Sequence, residues 1–240
     1  MDISKVYFQE CNARYVPLGF RSTRRTYARI LNDVMQTFTF KRYSSGCECT
    51  VEFGVFPLCQ VIKYPEYGHY NLCNFEVLTY YADWSYDKNS EDSVNACVKD
   101  ICGYIDRYLL PLFTEANCSE KALPALIGLD TYIQNVRQAK YRQKRMKDRA
   151  KFDWRYASLL HTEKFFMALK CGQYDYAREA AQVLIPTRRP EYAQLYQSIV
   201  EHLDAGDIEY VENILDKNEK ESLKNLGEFR LTPIISPEPN

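Results

Sequence analysis

Apolar side chains at the start of the chain recur every three or four residues. Ile3, Val6, Tyr7 and Cys11 make one stripe, and Asp2 stands where a helix N-cap belongs. Pro17 and Gly19 end that helix. From Thr26 the period becomes two. Residues 27–31 and 34–41 flank the turn pair Asn32 and Asp33, which predicts a hairpin. Its second strand sets Val34, Phe38 and Phe40 on one face, with Gln36 among them, and Met35, Thr37, Thr39 and Lys41 on the other. After the turn residues Ser44, Ser45 and Gly46, Cys47, Cys49, Val51, Phe53 and Val55 alternate with Glu48, Thr50, Glu52 and Gly54, the pattern of a half-buried antiparallel strand. Residues 72–81 read as a fourth strand, with Cys73, Phe75 and Val77 on one side.

A sheet with one apolar face needs a cover. Ser90, Glu91 and Asp92 form a capped, acidic first turn, and Val94, Cys97, Val98, Ile101, Ile105, Tyr108, Leu109 and Leu112 follow as one helical stripe closed by Pro111. The expected fold class is therefore α+β, an antiparallel sheet packed on helices.

Past Leu123 the period is helical again, with Leu126, Leu129, Ile133 and Val136 on one face. The segment from Leu169 to Ala177, with Gly172 and Tyr174, matches that from Leu203 to Val211, with Gly206 and Ile208, at an offset of 34 residues. This is the tetratricopeptide period. A glycine closing one helix and a small residue packing the next are what a tight helical hairpin requires. The pattern divides the chain into an α+β domain over residues 1–120, an all-α module of two repeat-like hairpins over 121–228, and an extended or disordered tail over 229–240.

The succession Pro17-Leu18-Gly19-Phe20, an aromatic strand, Val34-Met35-Gln36-Thr37-Phe38, Val51-Glu52-Phe53-Gly54-Val55-Phe56, Trp84 and a helix ending Tyr108-Leu109-Leu110-Pro111-Leu112-Phe113 resembles the bacterial domain of unknown function 4304 family over roughly residues 1–120. What the resemblance implies is chiefly fold, since that family has no established reaction. Some of its members look like cytoplasmic partners of toxins.

Charge changes the picture locally rather than globally. The 31 basic and 32 acidic residues leave a net charge of -1, so no overall field draws the chain toward nucleic acid or anionic lipid. Residues 1–150 carry +3 and residues 151–240 carry -4. Between them lies a basic run: Arg137, Lys140, Arg142, Lys144, Arg145, Lys147, Arg149 and Lys151, with Asp148 as its one acid. Such a run, beside Tyr141, Phe152 and Trp154, suits phosphates and bases, a protein partner, or the acidic module of the same chain. The 20 Tyr, with Trp84 and Tyr86 in the densest stretch, suit contact surfaces because each ring has an apolar body and a polar tip.

Chemistry has weaker signals. Cys47 and Cys49 share a strand face, yet no second pair follows at zinc-site spacing, and the His residues are 69, 161 and 202. His69 could meet Cys73 or Glu76 without anything in the pattern to orient it, and Glu48 with Glu52 is a solvent-facing carboxylate pair. No phosphate-cradling glycine loop occurs. The N-terminus lacks the apolar core of a signal peptide, so the nine Cys are expected as reduced thiols in a cytoplasmic protein. The expectation is a protein-binding module, a toxin antagonist by resemblance, with nucleic-acid binding through residues 137–151 as the alternative and a hydrolase third. No metal, cofactor or membrane is expected.

Overall fold

A computed structural model describes every residue except 1, 24, 45, 66–69, 73–83, 145–160 and 235–240. It has two compact units. The first comprises residues 1–55, 63–117 and 226–240, and the second 56–62 and 118–225.

The first unit is a sheet covered by helices. Strands β1 (Arg21–Thr23), β2 (Thr26–Leu31), β3 (Val34–Arg42), β4 (Glu48–Pro57) and β5 (Tyr70–Asn71) follow one another in space, β6 (Trp84–Ser85) pairs with β4, and β7 (Pro233–Ile234) pairs with β2. β1 pairs with β2, β2 with β3, and β4 with both β5 and β6 in antiparallel fashion, whereas β7 runs parallel to β2. The two-residue turn is closed by Asn32 in the left-handed region at φ 51°, a conformation asparagine tolerates.

Helix α1 (Ile3–Tyr15) is capped by Asp2, whose carboxylate accepts from the Ser4 N–H. It buries Ile3, Tyr7, Cys11 and Tyr15 at strict four-residue spacing. Tyr7 stacks on Phe40 at 4.4 Å, and Tyr15 meets Phe38 edge-on. Helix α2 (Glu91–Tyr104) is capped by Ser90. It does not stop at Pro111. A π-turn over Ile105–Leu109 leads into α3 (Leu110–Glu115), so the proline lies in a first turn, where its missing N–H costs little. The wider turn keeps one face inward through Ile101, Ile105, Leu109 and Phe113. Phe113 therefore takes the buried place the simple helical period assigns to Leu112.

The second sheet face also departs from expectation. Thr26, Thr37, Thr39 and Thr50 are buried rather than solvated. Threonine tolerates this when its hydroxyl is satisfied, and Thr26 and Thr39 share a hydrogen bond of 2.9 Å across the hairpin.

The second unit is helical: α4 (Ser119–Lys144), α5 (His161–Lys170), α6 (Tyr174–Leu184), α7 (Pro190–Asp204) and α8 (Ile208–Gly227). Gly172 at φ 69° and Gly206 at φ 75° close the turns of two successive hairpins. The segment 56–62 is held by one polar face of α8. Asn218 donates to the Cys59 carbonyl, Ser222 accepts from the Ile62 N–H and donates to the Gln60 carbonyl, and Asn225 donates to the Ile62 carbonyl. These side chains stand at four- and three-residue steps and replace water for an irregular backbone. Among the described residues no helix is long and apolar enough to cross a membrane.

Candidate functional site

The outer edge of β2 is covered in two pieces. β1 opposes its first half, with Arg21 opposite Ala28, and β7 opposes its second, with Ile30 opposite Pro233. Neither strand opposes Arg29. A cavity of about 230 Å³ lies at this seam, lined by Val16, Gly19, Phe20 and Arg21 on one side, Arg29 and Ile30 beneath, and Arg230 to Ile234 of the tail on the other.

Local sequence builds each wall. Pro17 lies in the short 3-10 turn Val16–Leu18, and Gly19 at φ 87° reverses the chain so that Phe20 enters the core. A Cβ on Gly19 would stand 2.6 Å from the Ile234 Cδ1, so the glycine also makes room for the tail. Across the seam, the turn after α8 brings the Leu231 N–H to the Leu226 carbonyl, with Arg230 at φ 59°. The Asn32 N–H donates to the Ile234 carbonyl and fastens the far end.

Arg29 is the fixed element of the site. Its Nε donates to Gln36 Oε1 at 2.8 Å, its Nη1 donates to the Leu18 carbonyl at 2.8 Å, and its guanidinium carbon lies 4.4 Å from the centre of the Phe20 ring. Gln36 is itself anchored, its amide donating to the carbonyls of Phe113 and Ala116. This explains a glutamine on an otherwise apolar face. Burial pushes the Arg29 pKa below its ordinary value, and among the described residues the cavity lining contributes three arginines and no acid. By contrast, an open depression in the helical unit is lined by Lys170, Glu212 and Asp216, and its lysine already pairs with Glu219.

None of the described candidate residues singled out by sequence lines this cavity. Trp84 and Tyr86 are buried, 9% and 5% exposed. The Trp84 indole N–H donates to Asp100 and the Tyr86 hydroxyl to the Gly46 carbonyl, so their polar tips are satisfied inside the first unit. Arg137, Lys140, Arg142 and Lys144 belong to the last turns of α4, while Arg145, Lys147, Arg149 and Lys151 lie outside the described residues. His69, Cys73 and all but Leu72 of the strand expected over 72–81 also lie outside them.

Cys49 is buried with its Sγ 4.0 Å from that of Cys97, whereas Cys47 lies ahead of β4 and is less buried. Among the described residues no group of three or more Cys, His, Asp or Glu is placed to hold a metal. Glu52 pairs with Lys41 across β3 and β4. Arg21, Arg29 and Arg230 escaped sequence reasoning because no local spacing unites them. Only the return of the tail to β2 does so. Against known proteins, no family model, curated protein or solved structure matches the chain.

Proposed function

We propose that the chain is a protein-binding module, of the toxin-antagonist kind that the sequence resemblance of residues 1–120 implies. The observation that carries this reading is the rim of the seam. Val16, Leu18 and Ile234 are 42%, 45% and 40% exposed on neighbouring segments, beside Arg21 and Arg230. Single exposed apolar residues are ordinary, but aliphatic side chains clustered beside arginines have the composition of a protein contact. The test is a photoreactive residue at Leu18, with one at the exposed Lys99 as reference, in cells expressing the whole chain. A discrete protein adduct from position 18 and not from 99 supports the reading. Equal adducts from both positions, or none from 18, overturn it.

A second reading rests on the eight cations of residues 137–151. On it, the whole chain binds RNA or DNA with micromolar affinity at about 0.15 M salt. Replacing Arg142, Lys144, Arg145 and Lys147 with Ser then lowers the slope of log K against log salt by roughly 3 to 4 units. Negligible binding by the unmodified chain rejects it.

A further inference from the structure

We propose that the seam between β1 and β7 is a binding site for a carboxylate carried on a short apolar body. Three observations converge on this ligand.

The first is uncompensated charge. Among the described residues, Arg21, Arg29 and Arg230 line one cavity without an acid in its walls, and none of the three forms an ion pair. A half-buried guanidinium gains most from an anion delivered to it, because burial has removed part of its hydration without supplying a counter-charge.

The second is preorganisation. Gln36, the Leu18 carbonyl and the Phe20 ring hold Arg29 by its Nε, one Nη1 proton and one face. Its Nη2 has no partner among the described residues. A planar donor fixed in this way presents a carboxylate with N–H groups whose orientation is already set.

The third is size and lining. About 230 Å³ is below the range of roughly 300 to 1,000 Å³ typical of sites for drug-sized ligands, so the seam admits one residue-sized group. Phe20, Ile30, Leu231 and Ile234 supply apolar wall around the cations. Inorganic phosphate would meet the arginines but leave those walls without a partner. An aliphatic acid satisfies both.

Two sources carry this chemistry: a free aliphatic carboxylic acid, and the C-terminus of a protein chain ending in an aliphatic residue. The second rests on the protein-binding reading above and the first does not. The experiment is a titration of the whole chain, followed by the arginine side-chain Nε–H resonances. The probes are 4-methylpentanoate, N-acetyl-glycyl-leucine with a free C-terminus, the same dipeptide as its C-terminal amide, and inorganic phosphate.

Both acids are expected to bind saturably and shift the Arg29 resonance, with the amide and phosphate at least about tenfold weaker. Arg21→Gln and Arg230→Asn are each expected to weaken the acids by about three- to tenfold. Arg21 is exposed and asparagine accepts the left-handed backbone at 230, so both variants keep the fold. Amide or phosphate binding as tightly as the acids overturns the proposal, as does unchanged affinity in both variants.

Tighter binding of the dipeptide acid assigns the site to a chain terminus, and tighter or equal binding of 4-methylpentanoate assigns it to a free acid. If cross-linking from Leu18 fails while the acids bind, the protein-binding reading falls and the carboxylate site stands. If cross-linking succeeds and the acids do not bind, the reverse holds.

Discussion

The two helical hairpins share one turn and differ in how they are held. In the first, the N–H groups of Cys171, Gly172 and Gln173 donate to the carbonyls of Met167, Leu169 and Ala168. In the second, Ala205, Gly206 and Asp207 donate to Glu201, Leu203 and His202. Every donor and acceptor is displaced by 34 residues. What surrounds the turns is not repeated. α5 is buried from Glu163 to Leu169 and its Lys164, itself buried, pairs with the partly buried Asp130 of α4, whereas the second turn is tied by exposed groups. Gln173 makes no side-chain cap, while Asp207 accepts from the Tyr210 N–H and pairs with His202, on whose ring Tyr210 stacks at 3.5 Å. The backbone turn is thus a reusable device, and each hairpin's stability is set by what the sequence places around it.

The largest expected contrast comes from the ion pairs. Lys164→Met removes a cation that is 5% exposed from a partly buried carboxylate, which should cost about 1 to 3 kcal/mol in denaturant unfolding. Arg178→Met removes the link from α6 to the exposed Asp204 and should leave the unfolding midpoint nearly unchanged. Equal losses would show that the first hairpin is not the more deeply anchored.

A smaller effect should be the same in both hairpins. No atom lies within 4 Å of a Cβ built on Gly172 or Gly206, so alanine meets only the cost of the left-handed backbone, roughly 1 to 2 kcal/mol at either site. Asparagine should recover part of that loss at both. Costs that differ by more than the conformational penalty itself would mean that the turns are equivalent in hydrogen bonding but not in strain.

The smallest effect separates the caps by pH. The hydrogen bond from His202, and after it that from the Tyr210 N–H, hold the Asp207 carboxyl below its ordinary value of 3.8. A depressed carboxyl contributes stability that is present above that ordinary value and is lost as pH falls through the lower value of the folded state. Hydrogen exchange of the Tyr210 amide should accelerate in that acid range. The Ala177 amide, bonded to the Gln173 carbonyl, should show no matching step.

Legibility in the sequence followed how local the cause was. The hairpin of β2 and β3 and the two glycine turns were readable because a few adjacent residues dictate them. Thr37 and Thr39 misled because polarity was read as exposure, although a hydroxyl that finds a partner is content in a core. Leu112 misled because a single π-turn, placed to accommodate Pro111, shifts the buried register onto Phe113. Trp84 and Tyr86 read as contact residues because a ring with a polar tip looks the same in sequence whether the tip meets water or Asp100. Least legible was the arginine site, whose members are brought together only by pairing of the tail with β2.

That pairing also sets an order in time. Ile30 and Pro233 are neighbours in the sheet but about 200 residues apart in the chain. At synthesis rates of roughly 5 to 20 residues per second, β2 emerges some 10 to 40 s before the strand that completes its edge. During that interval the N-terminal residues can form α1 and the hairpin, but the third arginine and one wall of the seam do not yet exist. A nascent chain therefore carries an open sheet edge where the folded protein carries an arginine-lined cavity, and any ligand of that cavity distinguishes chains in which β7 has paired with β2 from those in which it has not.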